Sequence, residues 1–324
     1  MSTRSRADAQ RAIGIACCVA LAAQYGAQPL LVRAFVPREV SRASLVLATE
    51  ATKAALAVAI MRARGSLRDE CARSVASGRR GALFAALPAV LYAIQNVLIQ
   101  QGVANLDAVS FNCLNQSKLA SAAVFVYIFS GVRQSFAQCV ALLGVMGAGA
   151  GLSARGATAS APTGERDFAF GALAVGAASA LSGLSGALGQ VVLKRHGKSA
   201  PMLTLEMAIV GAPVVVLTEY FFAAPGASFD ASALFAHWNA LVWIPVFTAA
   251  VAGLLVGEIT KRLKHGVIAK GFAVVGGLVL TGVCQSALTR ERVPRTHVVC
   301  LFVVLTSVYV HTVSPPVDEK NKVA

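Results

Sequence analysis

The apolar residues of this chain are gathered into repeated runs of roughly 20 residues, the length an α-helix needs to cross about 30 Å of hydrocarbon. Ten such runs can be marked, at about 12–33, 40–61, 82–103, 107–130, 136–154, 168–193, 202–224, 238–258, 267–288 and 296–313. A backbone in lipid has to satisfy its own N–H and C=O groups, so runs of this kind read as helices. Ten-residue stretches of alternating polarity, the mark of a membrane barrel, are absent. Only 14% of the residues are charged, against about a quarter in a soluble domain. The linkers leave no room for a separate soluble domain. The expectation is an all-α integral membrane protein, one domain over residues 1–324, with short tails at both ends.

The net charge of +14 invites a nucleic-acid reading, but the placement of the charges argues against it. If the chain crosses ten times, the N-terminal tail, alternate loops and the C-terminal tail lie on one side and hold most of the Lys and Arg. Arg62, Arg64, Arg68, Arg73, Arg79 and Arg80 share one of these loops. Lys194, Arg195 and Lys198 share a second, and Lys261, Arg262 and Lys264 a third. That is the positive-inside pattern, and it puts both termini in the cytosol. The Arg33/Arg38/Arg42 and Arg290/Arg292/Arg295 clusters weaken the bias without reversing it. Arg4, Arg6 and Arg11 before Ala20-Leu21-Ala22 resemble a cleavable signal, but the apolar run continues past that point and is read as the first span.

The seven cysteines are scattered without a CxxC pair, and the five histidines are dispersed near span ends, reading as interfacial residues. No metal site, disulfide framework or cofactor is expected. No clustered carboxylates, His-rich motif or nucleophile–base pair appears in the spans, so no enzyme is expected either.

Ten spans divide into five plus five, about 12–154 and 168–313. Glu50 in span two is echoed by Glu206 in span seven, and Lys118 in span four by Lys270 in span nine. An odd number of spans per half inverts the second half relative to the first, an arrangement that carriers use to hold substrate near the midplane.

The polar residues inside the spans carry the chemistry. Tyr92 to Lys118 contains Gln95, Asn96, Gln100, Gln101, Asn112, Asn115, Gln116 and a lysine. A lysine at the centre of a membrane helix costs about 2.5–3.5 kcal/mol on insertion scales. Such residues persist where they face a water-filled cavity or another helix. Glu50 and Lys53 are three apart and share a helix face, as substrate ligands or as a structural ion pair. Tyr92, Gln95 and Asn96 share another face. Phe111, Asn115 and Lys118, at i, i+4 and i+7, share a third. Amides suit base edges and sugar hydroxyls, rings stack on a planar base, and ammonium groups hold phosphate; the amides are also able to bond helix to helix. Lys270 is a second cation without a neighbouring acid, suited to an anion or to snorkelling at the interface. Gly147 and Gly151, and Gly183, Gly186 and Gly189, read as close helix packing.

The blocks TEATK at 49–53, LPAVLYAIQN at 87–96, ANLDAVSFNCLNQSK at 104–118, LSGLSGALGQVVLK at 181–194 and AKGF at 269–272 resemble the nucleotide-sugar transporters of the drug/metabolite transporter superfamily. The resemblance is greatest to the branch that carries CMP-sialic acid, UDP-galactose and UDP-N-acetylglucosamine. It implies ten transmembrane helices in two inverted five-helix repeats. It also implies exchange of a cytosolic nucleotide sugar for a lumenal nucleoside monophosphate across a Golgi or endoplasmic reticulum membrane. Substrate positions carry over onto Glu50, Lys53, Tyr92, Asn96, Lys118, Ser182 and Lys270. This chain departs from the family pattern at Phe111 and Asn115, where tyrosines are common, and at Thr204, where an asparagine is. The tail lysines Lys320 and Lys322 resemble a retrieval signal to the endoplasmic reticulum. Expected partners are the nucleotide sugar, the monophosphate, the lipid bilayer, and a second copy of the chain or glycosyltransferases. The competing readings are a carrier of another phosphorylated metabolite or organic anion, and a transport-inactive scaffold for glycosyltransferases.

Overall fold

The apolar runs become helices at nearly the expected places. The computed structural model describes residues 3–37, 39–106, 111, 114–155, 168–222, 234–289, 295–314 and 317. Among these, eleven helices follow one another and no strand occurs. They are α1 (Thr3–Phe35), α2 (Arg42–Ala63), α3 (Leu67–Ala76), α4 (Gly78–Asn105), α5 (Lys118–Ser130) and α6 (Phe136–Arg155). The others are α7 (Phe168–Lys194), α8 (Ala200–Phe222), α9 (Trp243–Arg262), α10 (Gly266–Thr289) and α11 (Arg295–Val313). Among the described residues five segments are long and apolar enough to cross a membrane: Asp8–Phe35, Ala43–Ala63, Phe168–Lys194, Ala200–Leu217 and Ala240–Arg262. Shorter apolar helices occupy Leu83–Ile99, Lys118–Ser130, Phe136–Gly151, Gly266–Leu280 and Val298–Val313. Lys320, Lys322 and Asn112 lie outside the described residues.

Three readings need correction. The run at 107–130 is not one helix. Ser117 N–H donates to Leu114 O at 3.0 Å and Leu119 N–H to Gln116 O at 3.1 Å, tight i to i−3 bonds around a turn at 116–117, and α5 starts only at Lys118. Phe111, Asn115 and Lys118 therefore do not share one continuous helix face. The close contacts expected of Gly147 belong instead to its neighbours. A side chain at Gly147 would meet nothing within 4 Å, whereas one at Gly149 would lie 2.7 Å from Gln116 Cδ and one at Gly144 would lie 2.6 Å from Ser307 Oγ. His311 is buried, with its ring edge-on to His265 at 5.5 Å and to Phe272 at 5.1 Å, rather than facing the interface. The loop helix α3 carries no apolar run, and the sequence pattern gave no sign of it. None of its residues is buried.

Direct contacts sort the helix ends onto two faces. At one face Gln10 meets Arg262, Arg64 meets Glu258, Glu70 meets Ser199, Ser74 meets Glu206, and His311 meets Gln134. This basic face gathers the start of α1, the ends of α2, α9 and α11, helix α3, the α5–α6 loop and the α7–α8 turn. Gly197, at φ 65°, makes that last turn in a left-handed conformation that glycine adopts without a Cβ clash. At the opposite face Trp238 Nε1 donates to Ser44 Oγ at 2.9 Å, and Val36, Leu45 and Trp238 pack around Ala48, Val242 and Val246.

Packing pairs cross the middle of the chain. α7 packs on α4 and α5, α1 packs on α9 and α10, α2 packs on α8, and α6 packs on α11; α2 also touches α9, and α8 touches α4. In lipid such contacts depend on close approach rather than on hydrophobic burial. The largest cluster of buried apolar residues joins Leu119 of α5, Leu142 and Val145 of α6, Ile268, Phe272 and Val275 of α10, and Val304 of α11.

Candidate functional site

A cavity of about 430 Å³ opens between α2, α4, α7, α8, α9 and α10, with one residue from α1. That volume falls in the range of small-molecule sites. Glycine forms much of its wall: Gly186 and Gly189 on α7, Gly211 on α8, and Gly253 and Gly257 on α9. Pro88 lies within α4, and its carbonyl accepts the Ser185 hydroxyl of α7 at 2.9 Å, which fastens the two helices beside the cavity.

Of the residues expected from the sequence, the cavity is lined by Glu50, Lys53, Tyr92, Asn96, Thr204 and Lys270. Phe111, Asn115, Lys118 and Ser182 are not among its lining residues. Ser182 is one helical turn away from Ser185, which does line it. Lys53 Nζ lies 2.7 Å from Glu50 Oε1, and both side chains are about a fifth exposed, at 23% and 17%. Two glycines make room for the pair. A Cβ at Gly253 would be 2.8 Å from Lys53 Cε, and one at Gly211 would be 4.0 Å from the Glu50 carboxylate. The proposed echo of Glu50 in Glu206 does not extend to the cavity, because Glu206 is bound at the basic face by Lys198 at 2.7 Å.

Lys270 stands in the first turns of α10 and points at Tyr92. Its Nζ donates to the Tyr92 hydroxyl at 3.4 Å and lies 5.7 Å from the ring centroid. Among the described residues no carboxylate pairs with it. Lys118, the first residue of α5, is within electrostatic range of Lys270. Among the described residues neither lysine has a carboxylate partner, so their positive charges stand uncancelled in a place where charge is costly.

Tyr25 of α1 was not singled out from the sequence, yet it lines the cavity together with Lys270. The signal lay in its neighbours, since Gln24, Tyr25 and Gln28 interrupt an apolar run. Gln28 Nε2 donates to Pro245 O at 3.0 Å and Gln28 Oε1 accepts from Thr248 Oγ1 at 2.9 Å. The amides thus bind α1 to α9 and leave the tyrosine for the cavity. Thr260 of α9 was likewise missed.

The family model for nucleotide-sugar transporters matches residues 13–312. The chain belongs to the nucleotide-sugar transporter family. This transporter is similar to the UDP-N-acetylglucosamine transporter ROCK1 of Arabidopsis thaliana, at 32% identity over 307 residues, 94% of this chain and 93% of that protein. It is 30% identical to the UDP-galactose/UDP-N-acetylglucosamine transporter srf-3 of Caenorhabditis elegans over 205 residues, 60% of this chain and 52% of that one. It is 26% identical to the UDP-galactose translocator of Homo sapiens over 228 residues, 70% of this chain and 57% of that one. A protein of known crystal structure shares the transporter's fold, with a TM-score of 0.69 and 13% identity over 93% of this chain and 96% of that chain.

The geometry of the Glu50–Lys53 pair gives a first expected result. A double-mutant cycle with Glu50→Gln and Lys53→Met, read by thermal unfolding in detergent, should return a coupling on the order of 1 kcal/mol, the upper end for partly exposed pairs. Additive single effects would show that the two side chains stand apart in the folded transporter.

Proposed function

We propose that this chain is an antiporter that moves a cytosolic UDP-sugar into the lumen of the Golgi or endoplasmic reticulum in exchange for a nucleoside monophosphate. The observation that carries the reading is Lys270, which has no carboxylate partner among the described residues and contacts Tyr92 in a cavity that Tyr25 also lines, inside a nucleotide-sugar transporter. Phosphate supplies the negative charge that Lys270 and Lys118 lack, and the rings and Asn96 suit a base or sugar. A cavity holding an anion is closed and reoriented at lower cost than one holding bare cations, which favours exchange over one-way flow. The UDP-sugar class is that of the relatives.

Ten transmembrane helices in two inverted five-helix repeats fit the packing. Exchanging the halves maps α1 onto α7, α2 onto α8, α4 onto α9, α5 onto α10 and α6 onto α11. The contacts of α7 with α4 and α5 then become those of α1 with α9 and α10, and the α2–α9 contact becomes the α8–α4 contact. The basic face lies on the cytosolic side by the positive-inside rule, and it gathers the start of α1 and the end of α11.

The test is nucleotide exchange in proteoliposomes preloaded with UMP, CMP, GMP or AMP, with labelled nucleotide sugars outside. Uptake of UDP-N-acetylglucosamine or UDP-galactose that depends on internal UMP is the expected result. Uptake indifferent to every internal monophosphate, from folded protein, would reject the antiporter.

A further inference from the structure

Two lysines beside the cavity tie the ends of α7 and α9 together at the basic face. Lys194, the last residue of α7, donates to Leu263 O at 2.6 Å and Lys264 O at 2.8 Å, where α9 ends and its last carbonyls have no helical partner. Lys261, in the last turn of α9, donates to Lys198 O at 3.1 Å in the α7–α8 turn. Each lysine thus crosses to the chain break that ends the other's helix. Their neighbours in sequence, Leu193 and Thr260, line the cavity, so the crossing lies beside its end at the basic face. The walls meet closely there, with a Cβ at Gly257 falling 3.0 Å from Ala200 Cβ and one at Gly186 falling 2.9 Å from Val267 Cγ1.

The choice of partners sets these two lysines apart from the basic residues around them. Lys198 is held by Glu206, and Arg262 by Glu258, each at 2.7 Å. Among the described residues Lys194 and Lys261 take carbonyl oxygens and no carboxylate. A carbonyl satisfies the donors but leaves the positive charge uncancelled. A phosphate oxygen accepts the same N–H donors and supplies a full negative charge as well. A cavity end flanked by uncancelled charge also draws anions from solution.

We propose that Lys194 and Lys261 are a releasable clasp at this end of the cavity, and that the phosphates of an arriving nucleotide open it by taking over both ammonium groups. The inference rests on the transporter reading above and adds to it the place where the substrate is first met. It assigns the phosphates two successive holdings, first the clasp and then Lys270.

Hydrogen–deuterium exchange on the full chain in lipid nanodiscs tests the clasp without requiring transport. Adding pyrophosphate or UDP to the native protein should speed amide exchange several-fold at residues 261–267, and phosphate-free uridine should not. The Lys194→Gln/Lys261→Gln variant should exchange fast there without any anion and gain nothing from pyrophosphate. Lys194→Arg/Lys261→Arg should restore both the protection and the response. Lys270→Gln, with the clasp intact, should still open for pyrophosphate. Unchanged protection in the glutamine variant, no response of the native protein, or a response lost in Lys270→Gln would each overturn the proposal. A chain that opens for pyrophosphate but moves no nucleotide sugar would keep the clasp and reject the cargo.

Discussion

Lys270→Gln is expected to reduce nucleotide-sugar exchange about 30-fold or more. Removing one member of a desolvated, hydrogen-bonded charge pair costs about 2–5 kcal/mol, and each 1.4 kcal/mol is a factor of ten. Lys270 has no carboxylate to pair with among the described residues, and in the proposed function its counter-charge comes from the substrate. Glutamine keeps a donor near the Tyr92 hydroxyl and removes only the charge. The protein should therefore remain folded by gel filtration and thermal unfolding while initial rates in UMP-loaded proteoliposomes collapse. Lys118→Gln should cost less, because Lys118 stands outside the cavity lining and acts on Lys270 through space. Exchange within three-fold of native in Lys270→Gln would remove the phosphate from Lys270.

The second large effect is structural and distinguishes glycines that look alike in sequence. Gly183→Ala should lower Tm in detergent by several degrees, whereas Gly189→Ala should leave it nearly unchanged. A Cβ at Gly183 would lie 2.5 Å from the Ser121 backbone carbon and 2.7 Å from the Ala122 nitrogen. Backbone atoms cannot swing aside as a side-chain tip can, so α5 and α7 would have to separate. Overpacking of this kind costs about 1–3 kcal/mol, which moves Tm by several degrees. A Cβ at Gly189 meets nothing within 4 Å and projects into the cavity, so its cost appears in transport instead. Equal stability of the two variants would mean that α5 and α7 are not in backbone contact.

Much of this architecture is legible in the sequence because lipid allows few solutions. Apart from the run at 107–130 and the start of α1, the apolar runs predict the helices within about five residues, and Glu50, Lys53, Tyr92, Asn96 and Lys270 stand out because polar groups are costly in a span. The same reasoning fails where cost is not the signal. The turn at 116–117 is hidden because Gln116 and Ser117 read as two more polar residues in a polar span. Tyr25 escaped because a single tyrosine in an apolar helix needs no justification. Glu206 reads as an echo of Glu50 because a sequence shows that two acids are present, not that one is already held by Lys198. The lysine clasp is invisible for a similar reason. Its acceptors are backbone carbonyls, which every residue has, and only the fold shows which ones are brought to Lys194 and Lys261.

The crossing of packing partners between the halves bears on how the molecule is made. Helices α4 and α5 emerge from the ribosome well before α7, against which both pack, and α1 precedes α9 and α10 by some two hundred residues of synthesis. Among the described residues, a nascent chain that ends after α6 has only slight contacts between its own helices, chiefly α2 with α3, α3 with α4 and α5 with α6. The first half therefore has to be held in waiting until the second arrives, and the Glu50–Lys53 pair, local to one helix, is among the few polar contacts complete during that interval. Substitutions on the late helices α7 and α9 should accordingly reveal themselves as protein cleared before it matures, in cells where the purified variant is still able to fold.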